Sequence, residues 1–279
     1  IWFYIASSEI FKYFSRCQLK KWIIAWRLLL NNEIASLKDI VNQDDEILIN
    51  SISENKIEWE PEEIQFELIH KDDDYLIIDK PPNLVMHPGA GCNNGTLANG
   101  LLFRFPELKV LPRAGIVHRL DKDTSGVLLV ARTERFRNHF VKLLQDRKVK
   151  KTYKAFIVGK VIGSFEITDA IGRDKNNRTK MSIRADGKDA YTFVKLDKNL
   201  GSYSLLDISI KTGRTHQIRV HLSSKKIPII GDKTYNPSSN IAKGTPRGLA
   251  DRIREFPRQA LHSYHISLEN INQNKTITF

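Results

Sequence analysis

Short runs of β-branched and aromatic residues, bounded by turn residues, dominate the sequence from Ile64 onward. Runs of this length and apolar character predict β-strands. The predicted strands are Tyr75–Ile78, Gly126–Ala131, Tyr153–Val158, Ala190–Leu196, Ser204–Ile210 and His216–His221. Helical periodicity is found mainly at Thr96–Phe103 and Thr133–Gln145. Because strands and helices do not alternate regularly, the sequence predicts an α+β domain with a mixed, largely antiparallel central sheet, and it disfavours a doubly wound parallel sheet.

Residues 1–55 predict a separate small unit. Apolar residues at helical spacing predict a helix near Glu9–Phe14 and another directly after it, and a short β element is predicted at Glu46–Ile49. Ser51–Pro61 is polar and has no sustained apolar period, as expected of a linker. We therefore expect a small α-rich module in front of a larger domain that covers residues 62–279.

The chain is strongly basic. Lysine and arginine together number 44 against 32 acidic residues, which gives a formal net charge of +12. An excess of positive charge favours a polyanionic partner, and nucleic acid is the leading candidate. Charge alone does not separate a nucleic-acid-binding protein from the many basic proteins that bind none, so the motifs have to decide.

Cysteine usage and hydropathy restrict the setting. Cys17 and Cys92 match no metal-binding spacing, and we expect reduced thiols in a cytoplasmic protein. The apolar stretch Trp22–Leu30 contains Arg27 and is far shorter than the roughly 20 residues that a membrane-spanning helix needs. No basic leader accompanies the apolar start at Ile1, so no signal peptide is expected. We expect truncated termini, a monomer, no bound metal ion and no membrane association.

The stretch His118–Gly126 concentrates His, Arg, Asp, Lys, Thr and Ser residues immediately before an apolar strand. Polar residues at the start of a strand form either a solvated turn or a functional site. Asp-Lys-Asp-Thr-Ser-Gly is a good turn sequence with Asx-type hydrogen bonds. Taken alone, this stretch leaves both interpretations open.

A second polar cluster covers Lys211–His221. Period-two spacing would place Gln217, Arg219 and His221 on one face of a strand. So many long polar groups on one face indicate an anion or a carboxylate to bind. An arginine beside an aspartate favours the ionised carboxylate, which a nucleophile requires, and we therefore predict that Asp121 pairs with Arg219.

Several blocks of the sequence share the order and spacing of one known family. The four longest are Ile78–Gly89, Gly115–Gly126, Lys151–Ala155 and Thr212–His221. Shorter matching pieces are Arg178–Met181, Gly187–Ala190, Gly231-Asp232 with Tyr235, and Arg258–His262. Through these blocks the chain resembles, over nearly its whole length, the RluA/RluD-type ribosomal RNA pseudouridine synthases.

The front unit resembles the small αL RNA-binding module of that family through Ser15–Ile23 and Asn31-Asn32. It departs from the family pattern at Ile1–Tyr4 and at Ala25-Trp26-Arg27. The alternative for this unit is a helical cap on the larger domain.

The resemblance implies the pseudouridine synthase fold and a set of site residues. It implies that Asp121 is the catalytic aspartate, that Tyr153 stacks on the target uracil and that Arg219 pairs with Asp121. Asp123 is the competing carboxylate, and only the resemblance ranks Asp121 above it. Arg119 would fill the gap left in the RNA by the displaced uridine. The residues expected to bind RNA are Arg119, His118, Arg214, His216, Gln217, Arg16, Lys20 and Lys21.

The reaction that the resemblance implies is the isomerisation of uridine to pseudouridine, which breaks the bond from ribose to base and rejoins the base through carbon 5. It needs no cofactor, and the sequence has no glycine-rich phosphate loop. The expected substrate is large-subunit ribosomal RNA, with transfer RNA as the alternative.

Two other functions are alternatives for this sequence. The first is a non-catalytic RNA-binding or ribosome-assembly protein of the same fold. The second is a metal-dependent nuclease that uses Asp121 and Asp123, but two-metal sites need several convergent carboxylates, and the adjacent Arg119 and Lys122 would oppose cation binding.

Overall fold

The protein divides into two compact units, residues 1–58 and residues 59–279. In this computed structural model the described residues are 20, 22–49, 59–89, 91–238, 240–271 and 275–279.

The described part of the first unit is a small antiparallel sheet. Its strands are β1 (Leu28–Leu30), β2 (Glu33–Ile34) and β3 (Ile47–Ile49), in the order β2-β1-β3. Trp22 and Ile23 are helical and pack with the buried residues of this sheet. Strand β3 lies where the sequence predicts a β element, whereas the helix predicted near residues 9–14 lies outside the described residues.

The second unit is built on a mixed nine-stranded sheet. Its strands are β4 (Glu67–Lys71), β5 (Tyr75–Lys80), β6 (Ser125–Ala131), β7 (Lys150–Val158), β8 (Ser164–Ile167), β11 (Thr192–Leu200), β12 (Tyr203–Ile210), β13 (Leu261–Glu269) and β14 (Thr276–Thr278). Their order is β4-β5-β6-β13-β7-β12-β11-β8, and β14 pairs with β13. The pairing of β6 with β13 is parallel, and the other pairs of this sheet are antiparallel. A separate hairpin joins β9 (Ile171–Arg173) to β10 (Met181–Ile183).

Four described helices accompany the sheet, and they are α1 (Leu97–Arg104), α2 (Glu134–Gln145), α3 (Gln217–Ser224) and α4 (Arg247–Glu255). The first two confirm the helices predicted from periodicity. Helix α2 begins after Thr133, whose hydroxyl accepts the N–H of Phe136 at 3.2 Å, as a helix N-cap does. Phe136 and Phe140 are spaced by one helical turn, and both are buried against one face of the sheet. Among the described residues, every helix is too short or too polar to cross a bilayer.

The strand predicted at His216–His221 is wrong, because Gln217–Ser224 forms helix α3. The helix follows a left-handed residue, His216, which has a φ of 55°. Residues 217–222 are all buried, so the alternation of polar and apolar residues does not mark a solvent face and a core face. The polar side chains of Gln217, Arg219 and His221 instead form hydrogen bonds with residues outside the helix.

Candidate active site

The loop that precedes β6 carries Asp121 and is held through its backbone. The N–H of Thr124 donates to the carbonyl oxygen of Asp121 at 3.1 Å, which closes a turn. The ammonium of Lys80, at the end of β5, donates to the carbonyl oxygens of Pro81 and Lys122 at 2.7 and 2.9 Å. Lys80 is fully buried, and burial lowers its pKa to about 8. Two carbonyl dipoles therefore partly stabilise a cation out of contact with water, and they fix the loop to the sheet.

The chain before β13 holds the same loop from another side. Arg258 Nη1 donates to the carbonyl oxygen of Asp123 at 3.3 Å. At Gly126, β6 passes so close to β13 that an added Cβ would lie 2.1 Å from the carbonyl oxygen of Ser263, and the φ of Gly126 is +110°. Only glycine fits both the space and this backbone conformation. The close approach therefore sets where the loop meets the sheet.

Arg219, on α3, lies between two carboxylates. Its Nη1 donates to Asp121 Oδ2 at 3.1 Å, while its Nε and Nη2 donate to the two oxygens of Asp232 at 2.7 and 2.8 Å. The exposed fractions of the side chains are 6% for Arg219, 17% for Asp121 and 1% for Asp232. Burial alone would lower the pKa of Arg219, but the bonds to Asp232 and the charges of both aspartates raise it above its usual value. Arg219 is thus a permanent cation whose orientation Asp232 fixes.

Tyr235 supports the same arginine. Its ring centre lies 5.0 Å from the guanidinium carbon of Arg219, within the range of a cation–π contact. Its hydroxyl accepts the N–H of Met181 at 2.9 Å and lies 2.8 Å from Nδ1 of His216. Burial lowers the pKa of His216, an effect that the charge of Asp121 partly opposes.

Tyr153 lies on β7 between β12 and β13, opposite Ile208 on one side and Ser263 on the other. Its side chain is buried. Burial raises the pKa of Tyr153 well above its usual value, and the charge of Asp121 adds to this effect, so the phenol stays protonated. A fixed aromatic ring near a carboxylate gives a base a surface on which to stack.

A cavity of about 740 Å³ brings these groups together, since Asp121, Tyr153 and Arg219 all line it. A second cavity, of about 400 Å³, is also lined by Asp121 and Arg219. Pockets of roughly 300–1,000 Å³ typically hold small-molecule ligands, so the larger cavity has room for a nucleoside. Exposed arginines also line it, and they are Arg113, Arg119 and Arg147.

Among the predicted RNA-binding residues, those that line the larger cavity are His118, Arg119, Arg214, His216 and Gln217. Lys20 is exposed in the first unit, while Arg16 and Lys21 lie outside the described residues.

Two of the cavity residues have internal roles. His118 Nε2 accepts the N–H of Leu129 at 2.9 Å. Burial, assisted by the charge of Lys151, lowers the pKa of His118 to about 3, so the ring is neutral.

The carboxamide of Gln217 is fully used inside the protein. Its oxygen accepts from the hydroxyl of Thr212 and the N–H of Arg214 at 2.7 and 3.0 Å. Its nitrogen donates to the carbonyl oxygen of Tyr191 and the hydroxyl of Thr192 at 2.9 and 3.0 Å. Gln217 therefore shapes the loop before α3. With four hydrogen bonds inside the protein, its carboxamide has no donor or acceptor left for the direct RNA contact that the sequence suggested.

Three functional groups of this site were given no role from the sequence: Asp232, Tyr235 and Lys151. Gly231-Asp232 with Tyr235 is one of the pieces that carry the family resemblance, and Lys151 opens another, so the signal was present without a role attached. In the described part of the chain, no three His, Cys, Asp or Glu side chains come together as metal ligands would.

Comparison with known proteins groups this chain with one family. The RNA pseudouridylate synthase family matches residues 74–224, the stretch that contains Asp121, Tyr153 and Arg219. The chain belongs to the RNA pseudouridylate synthase family. It is thus an isomerase that acts on RNA, and the prediction of an RNA pseudouridine synthase is confirmed. The alternative of a non-catalytic RNA-binding protein of the same fold is not favoured.

Individual relatives agree with this assignment. "Ribosomal large subunit pseudouridine synthase D" of Xanthomonas campestris is 41% identical over 256 residues, which are 92% of this chain and 77% of that protein. The protein of the same name from Vibrio parahaemolyticus is 37% identical over 266 residues, which are 95% of this chain and 82% of that protein. The solved structure of human RNA pseudouridylate synthase domain containing 1 has a TM-score of 0.59 at 25% identity and covers 82% of this chain and 86% of that one. The predicted α+β pseudouridine synthase fold is confirmed.

Proposed function

We propose that this enzyme isomerises uridines of large-subunit ribosomal RNA and that Asp121 is its reacting carboxylate. The observation that carries the assignment of Asp121 is its pairing with Arg219 in the cavity that also contains Tyr153. The names of the similar bacterial proteins support the choice of RNA. The net charge of +12 suits a polyanionic substrate.

Asp121 has one oxygen engaged and one available. Oδ2 accepts the hydrogen bond from Arg219, while Oδ1 has no hydrogen bond to any residue in the described part of the chain. The first step requires a carboxylate oxygen, whether it attacks the sugar at C1′ or removes a proton from C2′. The bond from Arg219 orients the carboxylate for either route.

Tyr153 and Arg119 are assigned to the displaced base and its former place. A stacked uridine hides its sugar from the enzyme, so the nucleotide must leave the stack, at a cost of a few kcal/mol. We assign Tyr153, buried in the cavity wall, to stacking on the flipped uracil. We assign Arg119, which is exposed where it lines the cavity, to the gap that the uridine leaves in the RNA.

The remaining contacts follow from exposure and charge. Arg214 and His216 line the cavity and are assigned to the RNA backbone around the target, and His118 lines it while holding Leu129. We propose that residues 1–55 form an RNA-binding module, in which exposed Lys20 contacts RNA. We further propose that the enzyme is a monomer that acts in the cytoplasm.

Asp121→Asn tests the assignment, with Asp123→Asn as the matched control. Asp123 lies two residues away on the same loop and lines only the smaller of the two cavities. We expect Asp121→Asn to bind RNA with wild-type affinity and to form no pseudouridine, because the amide is neither a nucleophile nor a base. Asp123→Asn should keep at least a tenth of the wild-type rate.

The target uridine is mapped first, and two measurements then compare the variants. Pseudouridine in ribosomal and transfer RNA, mapped by carbodiimide primer extension in cells with and without the gene, identifies the target uridine. A filter-binding affinity and a single-turnover rate on an RNA fragment with that uridine then separate binding from chemistry. Pseudouridine formation by Asp121→Asn at the wild-type rate would exclude Asp121, and loss of a modified site in transfer RNA alone would exclude the proposed substrate.

A further inference from the structure

Lys151 is a buried cation in the catalytic cavity that the assigned roles do not use. It lies on β7 two residues before Tyr153, so both side chains project from the same face of the strand. The side chain lines the 740 Å³ cavity, and the residue is only 8% exposed. Its ammonium makes no hydrogen bond or ion pair with any residue that the structure describes.

The other buried cations of this site have partners. Lys80 donates to two carbonyl oxygens, and Arg219 donates to two carboxylates. Lys151 has His118 nearby, but that ring is neutral and supplies no counter-charge, since its pKa is about 3. Burial lowers the pKa of Lys151 itself to about 8. A buried charge without a partner is destabilising. A negatively charged or hydrogen-bond-accepting group of the substrate would supply that partner and would explain why Lys151 lies in the cavity wall.

The reaction generates a negative charge at this depth. When the bond between uracil N1 and ribose C1′ breaks, its electron pair stays with the base, and the charge spreads over N1 and the two carbonyl oxygens. The RNA phosphates, by contrast, remain outside with the sugar backbone. Exposed arginines line the cavity and can meet them there, whereas Lys151 lies beside the ring assigned to the base.

We propose that the ammonium of Lys151 donates a hydrogen bond to a carbonyl oxygen of the target uracil and stabilises the negative charge that the base carries while it is detached. This role rests on the proposed function of the site. Such a donor acts more strongly on the transition state than on neutral bound uridine, because the charge on the oxygen develops only as the bond breaks.

The electrons and protons balance without a change in Lys151. The pair from the N1–C1′ bond leaves with uracil, the new bond forms between C5 and C1′, and the proton lost from C5 is matched by the one gained at N1. Lys151 keeps its proton throughout and only donates a hydrogen bond. It also holds the detached base by one oxygen, which lets the ring turn between the two bonded states.

The test compares Lys151→Met with Lys150→Met. Lys150 is the neighbouring residue on β7, exposed on the opposite face of the strand, so its substitution removes an equal charge from outside the cavity. The measurements are the single-turnover rate constant at saturating enzyme and the affinity for the mapped RNA fragment at two salt concentrations. Lys151→Met should lower the rate about 10- to 100-fold, at about 1.4 kcal/mol per tenfold, and change the affinity less than threefold. Lys150→Met should stay within twofold of wild type in both.

A substrate series separates a contact from a packing effect. RNA with 2-thiouridine or 4-thiouridine at the target replaces one carbonyl oxygen by sulfur, which accepts hydrogen bonds weakly. If Lys151 binds that oxygen, the penalty for Lys151→Met shrinks at least fivefold on the matching thio-substrate. Equal penalties on all three substrates would contradict the contact.

Other outcomes are equally decisive. A wild-type rate for Lys151→Met, or a loss confined to affinity with a weaker salt dependence, would overturn the proposal, and the second result would assign Lys151 to a phosphate. Wild-type enzyme that forms no pseudouridine in the mapped RNA would overturn the proposed function itself. The melting temperature of Lys151→Met should not fall below that of wild type, because the substitution removes an unpaired buried charge.

Discussion

Asp232→Asn tests whether Asp232 holds Arg219 in position beside Asp121, the proposed catalytic carboxylate. Asp232 Oδ1 accepts from Arg219 Nη2 and from the N–H groups of Thr234 and Tyr235, at 2.8, 3.0 and 3.1 Å. Among the described residues, its Oδ2 accepts only from Arg219 Nε, at 2.7 Å. An asparagine whose oxygen takes the Oδ1 position keeps three of these bonds. Its amide nitrogen then faces the Nε–H of Arg219, so one charge-assisted bond is replaced by two opposed donors.

The expected loss of stability comes from the bond between Asp232 Oδ2 and Arg219 Nε. A hydrogen bond to a charged group contributes about 1.5–3 kcal/mol, and the loss of one partner from a buried ion pair costs about 3–5 kcal/mol. Because the other bonds persist, we expect the free energy of unfolding to fall by about 2–3 kcal/mol. If the alignment of Arg219 with Asp121 loses the same free energy in the transition state, the rate falls about 30- to 150-fold.

Urea unfolding gives the stability, and single-turnover kinetics below the unfolding transition give the rate. RNA affinity should stay near that of wild type, because the Asp232 side chain is only 1% exposed and lines neither cavity. The control is Asp207→Asn, which breaks a partly exposed ion pair with Lys154 and should cost at most about 1 kcal/mol. A wild-type rate in Asp232→Asn, at whatever stability, would refute the idea that Asp232 positions Arg219.

Two further predictions concern stability. His118 has a folded pKa of about 3 against 6.5 for the free side chain, so its contribution is complete above pH 6.5 and is lost as the pH falls toward 3. At about 1.4 kcal/mol per pKa unit, the buried neutral ring of His118 should lower the free energy of unfolding by about 2 kcal/mol at pH 5 relative to neutral pH. His118→Gln, which keeps an acceptor for Leu129, should unfold in urea with a correspondingly smaller change between pH 7 and pH 5, and an unchanged pH dependence would contradict the assignment. Gly126→Ala should lower stability by well over about 1 kcal/mol, because its Cβ would meet Ser263. Gly248→Ala, in open space on α4, should be neutral or stabilising, and thermal melts of both glycine variants measure the difference.

Local sequence was sufficient where one element interacts mainly with its own residues and one face of the core. Helix α2 followed from apolar residues one turn apart, which is a short-range pattern. Five strands of the central sheet, β5, β6, β7, β11 and β12, followed from short apolar runs for the same reason, whereas β4, β8, β13 and β14 were not among the predicted strands. Helix α3 was not predicted, because residues 217–222 are all buried and the alternating polar residues bind partners elsewhere in the fold.

The candidate site, too, was predicted only in part. Charge, motif order and residue chemistry were enough to predict that Asp121 pairs with Arg219 across 98 residues of sequence. They gave no role to Asp232, whose importance lies in a pair of bonds to the far side of one guanidinium.

The sequence was enough to recognise the family, five of the nine strands of the central sheet and a set of candidate site residues that includes Asp121. Which of these side chains are hydrogen-bonded and which are buried became visible only in the fold. Hydrogen bonding and burial depend on distances between elements far apart in the chain, and no local pattern encodes those distances. Lys151 is the clearest case, since in the sequence it is one lysine among many and in the fold it is a largely buried cation in the cavity wall, two residues from Tyr153.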